Sequence, residues 1–582
     1  MVALARPIWP HCGYGADRTD PIGCRGVRVS DYTACLAHLT DDERGAYRDG
    51  LAPGADVDHR GTTFTADLLG ILFDALLDHD TAEVHLGAVR FDEARFLSDA
   101  IFEDATFSGY TADFSGAIFS GDAQFDGTIF SGEARFDRAA FSHSAFFREA
   151  RFSDRARFEE ATFSGEARFD RAAFSRDARF QGVTFADETG FDGATFSDWA
   201  QFDGATFAVS SRFGPLVCAQ RVGLSGALFE APVTLEIAAQ EVACQRTQWR
   251  STATMRLRYA TVDLDDAVLA FPVAVTAHPA PFTTIFGKVP EQLLEGLDST
   301  TMVTSVRGVD AAHLVLTDID LSACRFFGAF HLDQIRLVGC TFARTPTGAH
   351  HLWPFEWTSR RTLVEEHHWR ARTPDRKGFN PNLGWRIPPT GTEPSLIPEP
   401  EVVSGLYQQL RKALEDAKNE PDAADFYYGE MEMRRHDREN RPRSERILLT
   451  AYWMISGYGL RALRAFGSLF FAMVLTMVLL MWVGLPADPP APRTRGTVTA
   501  EQKVDVTTKV PGPGGAAPGP LGERFTRERA EKAGRTAVNS VVFRSAGQGL
   551  TVAGTYIEMA SRLVEPVLLA LALLAIRGRV KR

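Results

Sequence analysis

The chain has 582 residues, several times a usual domain of about 100–200, so two or more domains are expected. A hydrophobic content of 45% excludes a wholly disordered chain, and 63 Lys plus Arg against 74 Asp plus Glu, a net charge of −11, argue against a globally basic nucleic-acid binder. The anomaly is 42 Phe against 11 Tyr and 9 Trp, more than ordinary core packing calls for, while seven Cys over this length form no dense disulfide framework and fit a reducing compartment.

The opening residues, MVALARPIWPHCGYG, lack a continuous apolar run of about 7–15 residues, so no cleavable signal peptide is expected and the N-terminus is expected in the cytosol. Within residues 1–80, Cys12, Cys24, Cys35 and His38 offer four soft ligands. Cys35 and His38 have a spacing at which two side chains can converge on one metal, whereas the longer intervals before them are unlike the tight paired knuckles of most structural zinc sites. Two readings stay open: a zinc site, and buried cysteines in a small capping region.

A repeat follows. Phe91 is succeeded by Phe96, Phe102, Phe107, Phe114, Phe119, Phe125, Phe130, Phe136, Phe141, Phe147, Phe152, Phe158, Phe163, Phe169, Phe174, Phe180, Phe185, Phe191, Phe196, Phe202, Phe207 and Phe213. After one step of seven, the spacing alternates strictly between five and six, and Ala lies two residues before most of these Phe, as at Ala134, Ala139, Ala156, Ala161, Ala167, Ala172 and Ala178. Neither a period of 3.6 nor one of 2 fits. A chain turning repeated corners does fit: the large residue fills the axis of a narrow tube, the small one sits where walls meet, and polar residues face water.

Runs such as ARFDRAAFS and ATFSGEARF resemble the pentapeptide-repeat family in its Phe-centred form. The resemblance implies a mainly β fold, a right-handed quadrilateral parallel β-helix with four pentapeptides per coil. Alternate steps here carry one extra residue, so a coil is predicted to hold 22 residues, with bulges at two of its four corners. The regular ladder, 91–213, then makes about 5.5 coils and roughly 26 Å of rise at a strand spacing of about 4.8 Å.

A 22-residue coil places Asp126 over Arg148 over Asp170, Glu133 over Arg155 over Asp177, Asp113 over Arg135, Arg138 over Glu160, and Glu149 over Arg171. Arg135, Arg157 and Arg179 instead stack like on like, as do Glu166 and Glu188. A degenerate ladder over 214–342 continues through Cys218, Leu224, Phe229, Leu235, Cys244, Trp249, Met255, Leu264, Leu269 and Val275. It is interrupted by Pro279, Pro281, Pro290 and a predicted short helix near Glu291 to Asp298, and it resumes from Leu316 to Phe342, giving a solenoid over 86–342. Cys218, Cys244, Cys324 and Cys340 read as small core residues.

Residues 343–400 form an irregular Pro-, His- and Trp-rich segment. Its His350-His351 and Glu365-Glu366-His367-His368 clusters are weak metal signals, because adjacent residues on a helix point about 100° apart, and a solvated surface is expected there. A helical hairpin linker is predicted over 401–446, broken at Asn419 to Asp422, with Leu406, Leu410 and Leu414 on one face of its first helix. It reads either as a partner-binding hairpin or, preferably, as a connector packed against the C-terminal cap of the solenoid.

Residues 466–485 are uncharged, mainly apolar and long enough to span a bilayer. Arg461, Arg464 and the arginines from Arg434 to Arg446 place the N-terminal part in the cytosol by the positive-inside rule. Pro486 ends that helix, 486–540 reads as a Pro- and Gly-rich extracytoplasmic loop, and 556–576 is the second predicted span. Its continuous apolar part, Leu563 to Ile576, is short and holds Glu565 and Pro566; recruiting residues from Tyr556 would require polar partners for Glu558 and Arg562. Arg577, Arg579, Lys581 and Arg582 then favour a cytosolic tail. A single span with an interfacial C-terminal helix is the alternative.

The hairpin and membrane entry also resemble those of bacterial pentapeptide-repeat proteins, some of which carry a potassium-channel-like pore. A selective filter needs stacked carbonyl rings of a TVGYG type. Here the position of a pore loop holds only SAGQG at 545–549, and GYG at 457–459 precedes the first span, so conduction is disfavoured. No P-loop, strand-linked GxGxxG, HExxH or GxSxG occurs, and catalysis is not expected. The sequence reads as a membrane-anchored cytosolic interaction scaffold, with the bilayer and an unidentified protein as partners, homo-oligomerisation left open, and no cofactor apart from zinc. The alternatives are a degenerate two-helix channel-like protein and a DNA-mimicking topoisomerase-binding protein. The second is permitted by 22 acidic residues against 13 Arg over 86–213, but opposed by the Arg-rich middle of that stretch and by the membrane anchor.

Overall fold

A computed structural model of the chain describes residues 7–346, 359–372, 384–389, 393, 396–486, 493–498, 504–509, 520–542 and 549–580. It divides into two compact units, Met1–Pro398 with Gly405–Asn419, and Glu399–Ser404 with Glu420–Arg582.

The first unit is a parallel β-solenoid of about 12 turns. Its strands are mostly two residues long, either a Phe with its predecessor, as in Thr162–Phe163, or the pair just before a Phe, as in Ala156–Arg157, because the chain turns at every side. One face is a ten-stranded sheet running from Thr63–Phe64 to Val268–Leu269. The register is the predicted 22 residues: Phe119 pairs with Phe141, Phe141 with Phe163 and Phe163 with Phe185.

The predicted Phe residues form four columns inside the tube. Along the column Phe119, Phe141, Phe163 the rings lie 4.8 and 4.6 Å apart and nearly parallel, while rings from opposite columns meet edge to face, as Phe158 and Phe169 do at 5.5 Å and 87°. Ala134, Ala139, Ala156, Ala161, Ala167, Ala172 and Ala178 are buried between them, and at the equivalent positions Thr128, Val183 and Thr189 are buried as well. The two corner types differ in backbone. Five-residue steps turn through a left-handed residue two places after Phe, recurring every eleven residues at Gly127, Arg138, Glu149, Glu160, Arg171 and Gly182.

The ladder begins before the expected Leu86. Val57–Asp58 pairs with Val89–Arg90, and Thr63–Phe64 pairs with Arg95–Phe96. Helix α1 (Asp41–Asp49) precedes this rung and α2 (Ala66–Leu76), capped by Thr65, is inserted after it, which lengthens the repeat and hides the rung from a search by spacing. Phe73 of α2 sets its ring against Phe102 at 5.2 Å and closes the end of one column.

Beyond Phe213 the coil tightens. Leu228 pairs with Gln248 and Gln248 with Val268, a 20-residue register, and the sides join into the long strands Arg212–Gly223 and Val233–Ala243. The interruption is a small hairpin, Thr283–Thr284 with Gly287–Lys288, and the one-turn helix Gln292–Leu294, shorter than the predicted Glu291 to Asp298 because Pro290 and Gly296 bracket it. Phe282, Val289 and Leu294 cover the outward-facing Val217 and Ala238, and Arg258 donates to Glu291 at 2.7 Å. The solenoid ends at Arg336–Val338, followed by α3 (Val364–Arg372) and α4 (Pro400–Asp416), whose Leu406, Leu410 and Leu414 are buried on one face as expected.

In the second unit lie α5 (Glu420–His436), α6 (Arg443–Ser456), α7 (Ala462–Leu479) with a π-helical turn Leu480–Gly484, α8 (Arg527–Val541) and α9 (Val552–Val580). The predicted loop 486–540 is therefore partly structured, with strands Arg493–Val498 and Val504–Lys509 and helix α8. The reason is composition: Ala, Glu, Lys and Arg favour a helix over 527–541, while the Gly and Pro residues cluster before it. α9 is twice the length of the apolar run that signals it and runs through Pro566. Gly457 ends α6 in the left-handed conformation, so the GYG at 457–459 is a helix terminus, with Tyr458 buried against Tyr428 and Tyr452.

Candidate functional site

The four predicted metal ligands meet. Cys12 and Cys24 face each other across a short hairpin, in which Cys12 donates its N–H to the Gly26 carbonyl and Gly13 donates to that of Cys24, both at 2.8 Å. Cys35 directly precedes the one-turn helix Leu36–His38 and projects with His38 into the same space. Cys24 Sγ and Cys35 Sγ are 3.6 Å apart, His38 Nδ1 is 3.3 Å from Cys35 Sγ and 3.7 Å from Cys12 Sγ, and all four donor atoms lie within 4.8 Å of one another. The contact between the two sulfurs lowers Cys24, and with burial it raises Cys35. Tyr14 stacks on the His38 ring at 4.2 Å.

The Glu365–His368 cluster corrects the expectation of a solvated surface: Glu365, Glu366 and His367 are buried. Glu365 accepts the backbone N–H groups of Phe326 and Phe327 at 2.5 and 2.9 Å, satisfying donors of a late coil that no further rung would pair. Glu366 accepts from Arg360 Nη2 at both carboxylate oxygens, at 2.5 and 2.7 Å, from Arg370 at 2.7 Å and from the Tyr407 hydroxyl at 2.6 Å. Burial opposes its charge, yet Arg360 and Arg370 hold Glu366 down at about 2, whereas burial drives Glu365 up to about 6. His367, donating to or accepting from Thr362 at 2.8 Å, is lowered by burial to about 4. These groups plug the end of the solenoid. The missed signal is the arginines flanking the cluster, which supply the countercharge that lets acids be buried. His350 and His351 lie outside the described residues.

On the solenoid surface, three of the predicted cross-coil pairs close: Asp126 with Arg148 at 2.7 Å, Asp113 with Arg135 at 3.6 Å, and Glu149 with Arg171. The like-charged column Arg135, Arg157, Arg179 is threaded between carboxylates of the same coil and of the coil before it. Arg135 meets Glu133 at 2.5 Å, Arg157 meets Asp137 at 3.0 Å and Arg179 meets Glu159 at 3.2 Å.

α7 with its π turn and α9 are each long and apolar enough to cross a membrane, over Ala462–Gly484 and Val552–Ile576. They approach closely at Gly484 and Gly554, where a Cβ on Gly554 would lie 2.3 Å from the Gly484 carbonyl oxygen. Glu565, fully buried, accepts hydroxyls from Thr476 of α7 at 2.8 Å and Ser540 of α8 at 2.7 Å. Glu558 and Arg562 pair with each other at 2.6 Å. The SAGQG stretch falls almost wholly outside the described residues.

A family model of pentapeptide repeats, spanning nine copies, matches residues 86–129, 125–173 and 169–214. No curated protein and no solved structure matches the chain. The matched residues are those whose Phe columns, buried Ala and 22-residue parallel register build the regular solenoid, and residues 86–214 are an array of pentapeptide repeats.

Proposed function

We propose that this protein is a membrane-anchored, non-catalytic interaction scaffold, in which the solenoid offers a rigid surface to a partner protein and α7 and α9 tether it to a lipid bilayer. One observation carries the anchoring: both helices keep large apolar side chains outward, with Phe470 69%, Phe471 68% and Leu563 72% exposed. The core helix of a soluble protein buries such residues, whereas a helix in lipid exposes them to the acyl chains. The polar groups turn inward, Glu565 to Thr476 and Ser540, as hydrocarbon demands. Arg461, Arg464 and the arginines of the preceding linker favour a cytosolic solenoid, and Arg577 and Arg579 favour a cytosolic tail.

The interaction role is supported by the tube itself. Its interior is filled with rings, so recognition falls to the outer faces, where fixed charges recur at coil spacing. Interleaved arginines argue against a duplex-like row of bare negative charge. Carbonate-washed membranes should retain the full chain, and its release into the soluble fraction would refute anchoring. Cross-linking in intact cells, followed by detergent purification, should enrich a protein with the parent chain and lose it when Arg148, Arg157 and Arg171 are replaced by Ala. Inhibition of gyrase supercoiling by the full chain would favour DNA mimicry instead.

A further inference from the structure

We propose that Cys12, Cys24, Cys35 and His38 bind one Zn²⁺ ion in a closed tetrahedral site that staples the N-terminal segment to the first coil of the solenoid. With Zn–S bonds of about 2.3 Å and a Zn–N bond of about 2.0–2.1 Å, a tetrahedron requires S···S edges of about 3.8 Å and S···N edges of about 3.5 Å. The separations of 3.6 Å between Cys24 and Cys35, 3.3 Å between Cys35 and His38, and 3.7 Å between Cys12 and His38 already approach these edges.

The chain around the cluster is shaped for it. Cys12 and Cys24 are held across the hairpin by paired backbone bonds, and Cys24 donates its N–H to Tyr14 at 2.9 Å. Gly26 sits so close that a Cβ there would lie 2.7 Å from Cys35 Cβ and 2.8 Å from its Sγ, so the strand passes the cluster only as glycine. Stacking of Tyr14 fixes the imidazole plane of His38. Three thiolates and an imidazole are the donor set that zinc takes in structural sites, and four protein ligands leave no position for a substrate, which makes the site structural.

The segment needs such a staple. Its buried apolar residues are few, chiefly Trp9, Val27, Val29, Leu36 and Leu39, and pieces this small ordinarily rely on a disulfide or a metal. All its cysteines are free thiols. The hairpin is joined to the solenoid by Val27 N–H donating to the Arg60 carbonyl at 2.7 Å and by the Arg60 guanidinium 5.1 Å from the Trp9 ring. A bound ion would thus hold in place the strand that covers the first exposed coil edge. All three sulfurs bind as thiolates, any that is still protonated releasing its proton on binding, and His38 Nδ1 gives its lone pair to the metal.

The test uses the full chain in neutral detergent, purified from cells grown with added zinc. Metal analysis should find one zinc per chain. Exchange with Co²⁺ should give visible d–d bands with near-ultraviolet thiolate charge transfer, and a chelator should speed maleimide labelling of Cys12 and Cys24 while leaving buried Cys218, Cys244 and Cys324 unreactive. Cys35→Ser should lose stoichiometric zinc. His38→Cys should keep it with a shifted cobalt spectrum, which separates ligation from misfolding. Substoichiometric zinc with no cobalt bands, or a Cys24–Cys35 disulfide in protein alkylated at lysis, would overturn the proposal. Neither outcome depends on membrane anchoring.

Discussion

Phe141 and Phe163 stack at 4.6 Å with their planes 1° apart. An isolated pair prefers an offset or edge-to-face arrangement. Here the spacing is imposed by the ladder, since Phe141 pairs with Phe163 in the parallel register, and edge contacts such as Phe163 with Phe169 at 6.0 Å complete the packing. Replacing Phe163 with Ala is expected to cost about 3–5 kcal/mol, and with Leu under about 1.5 kcal/mol. Hydrogen exchange of the rungs holding Phe141, Phe163 and Phe185 reads this directly; unchanged protection in Phe163→Ala would contradict the columnar core.

The corners offer the opposite sign. Arg138 is exposed and held at φ 56°, a conformation that costs an L-residue about 1–2 kcal/mol. Arg138→Gly should therefore stabilise by a few tenths to about 1 kcal/mol, after the extra entropy glycine loses on folding. Gly127→Ala should destabilise, because its φ is 69° and the added Cβ would lie 2.1 Å from Asp104 Oδ1. Midpoints of urea unfolding separate the two.

The plug at the C-terminal end of the solenoid should tolerate neither half of its ion pair being removed. Glu366→Gln removes the buried negative charge that accepts from Arg360, Arg370 and the Tyr407 hydroxyl, and the expected loss is about 3–5 kcal/mol. The fluorescence of nearby Trp369 and Trp385 should shift at lower urea than in the parent chain.

Acid should loosen both ends. His59, His367 and His368 are each lowered by burial from 6.5 to about 4. The unfolded chain takes up these protons near 6.5 and the folded chain near 4, so their contribution is complete above pH 6.5 and is lost as pH falls towards 4. Glu366, held at about 2, adds a loss below 4.5. Glu365, raised to about 6, works the other way between 4.5 and 6, and offsets part of the histidine effect. Stability measured at pH 7, 5.5 and 4.5 should decline throughout, and the decline should flatten in a His59→Gln, His367→Gln variant.

Glu565 supplies a test of the helix bundle. Glu565→Gln keeps a carbonyl acceptor for one of Thr476 and Ser540 and an N–H that can donate to the other hydroxyl, whereas Glu565→Leu removes the polar partner of both. The expected penalty for Leu over Gln is about 0.6–1.7 kcal/mol. Detergent titration of the α7, α8 and α9 assembly would show it as earlier loss of helix packing, and equal behaviour of the two variants would contradict the buried acceptor.

The sequence alone determined the regular solenoid and its register, because the Phe period is a direct projection of the coil: every side must place one large side chain on the axis. It also determined the apolar spans and the break between α4 and α5, which rest on local composition. Tertiary structure decided the rest. The rung at Val57 to Phe64 was hidden by insertion of α2, and the tightening to 20 residues required knowing where sides merge into long strands. Glu365 and Glu366 look solvated from their own neighbours, since burial of a carboxylate depends on partners such as Phe326, Arg360 and Tyr407. The extension of α9 past its apolar run likewise depends on distant hydroxyls and on the Glu558–Arg562 pair. Cys12, Cys24, Cys35 and His38 were legible as donors, but their convergence required a hairpin whose backbone pairing and close-passing Gly26 no spacing rule contains.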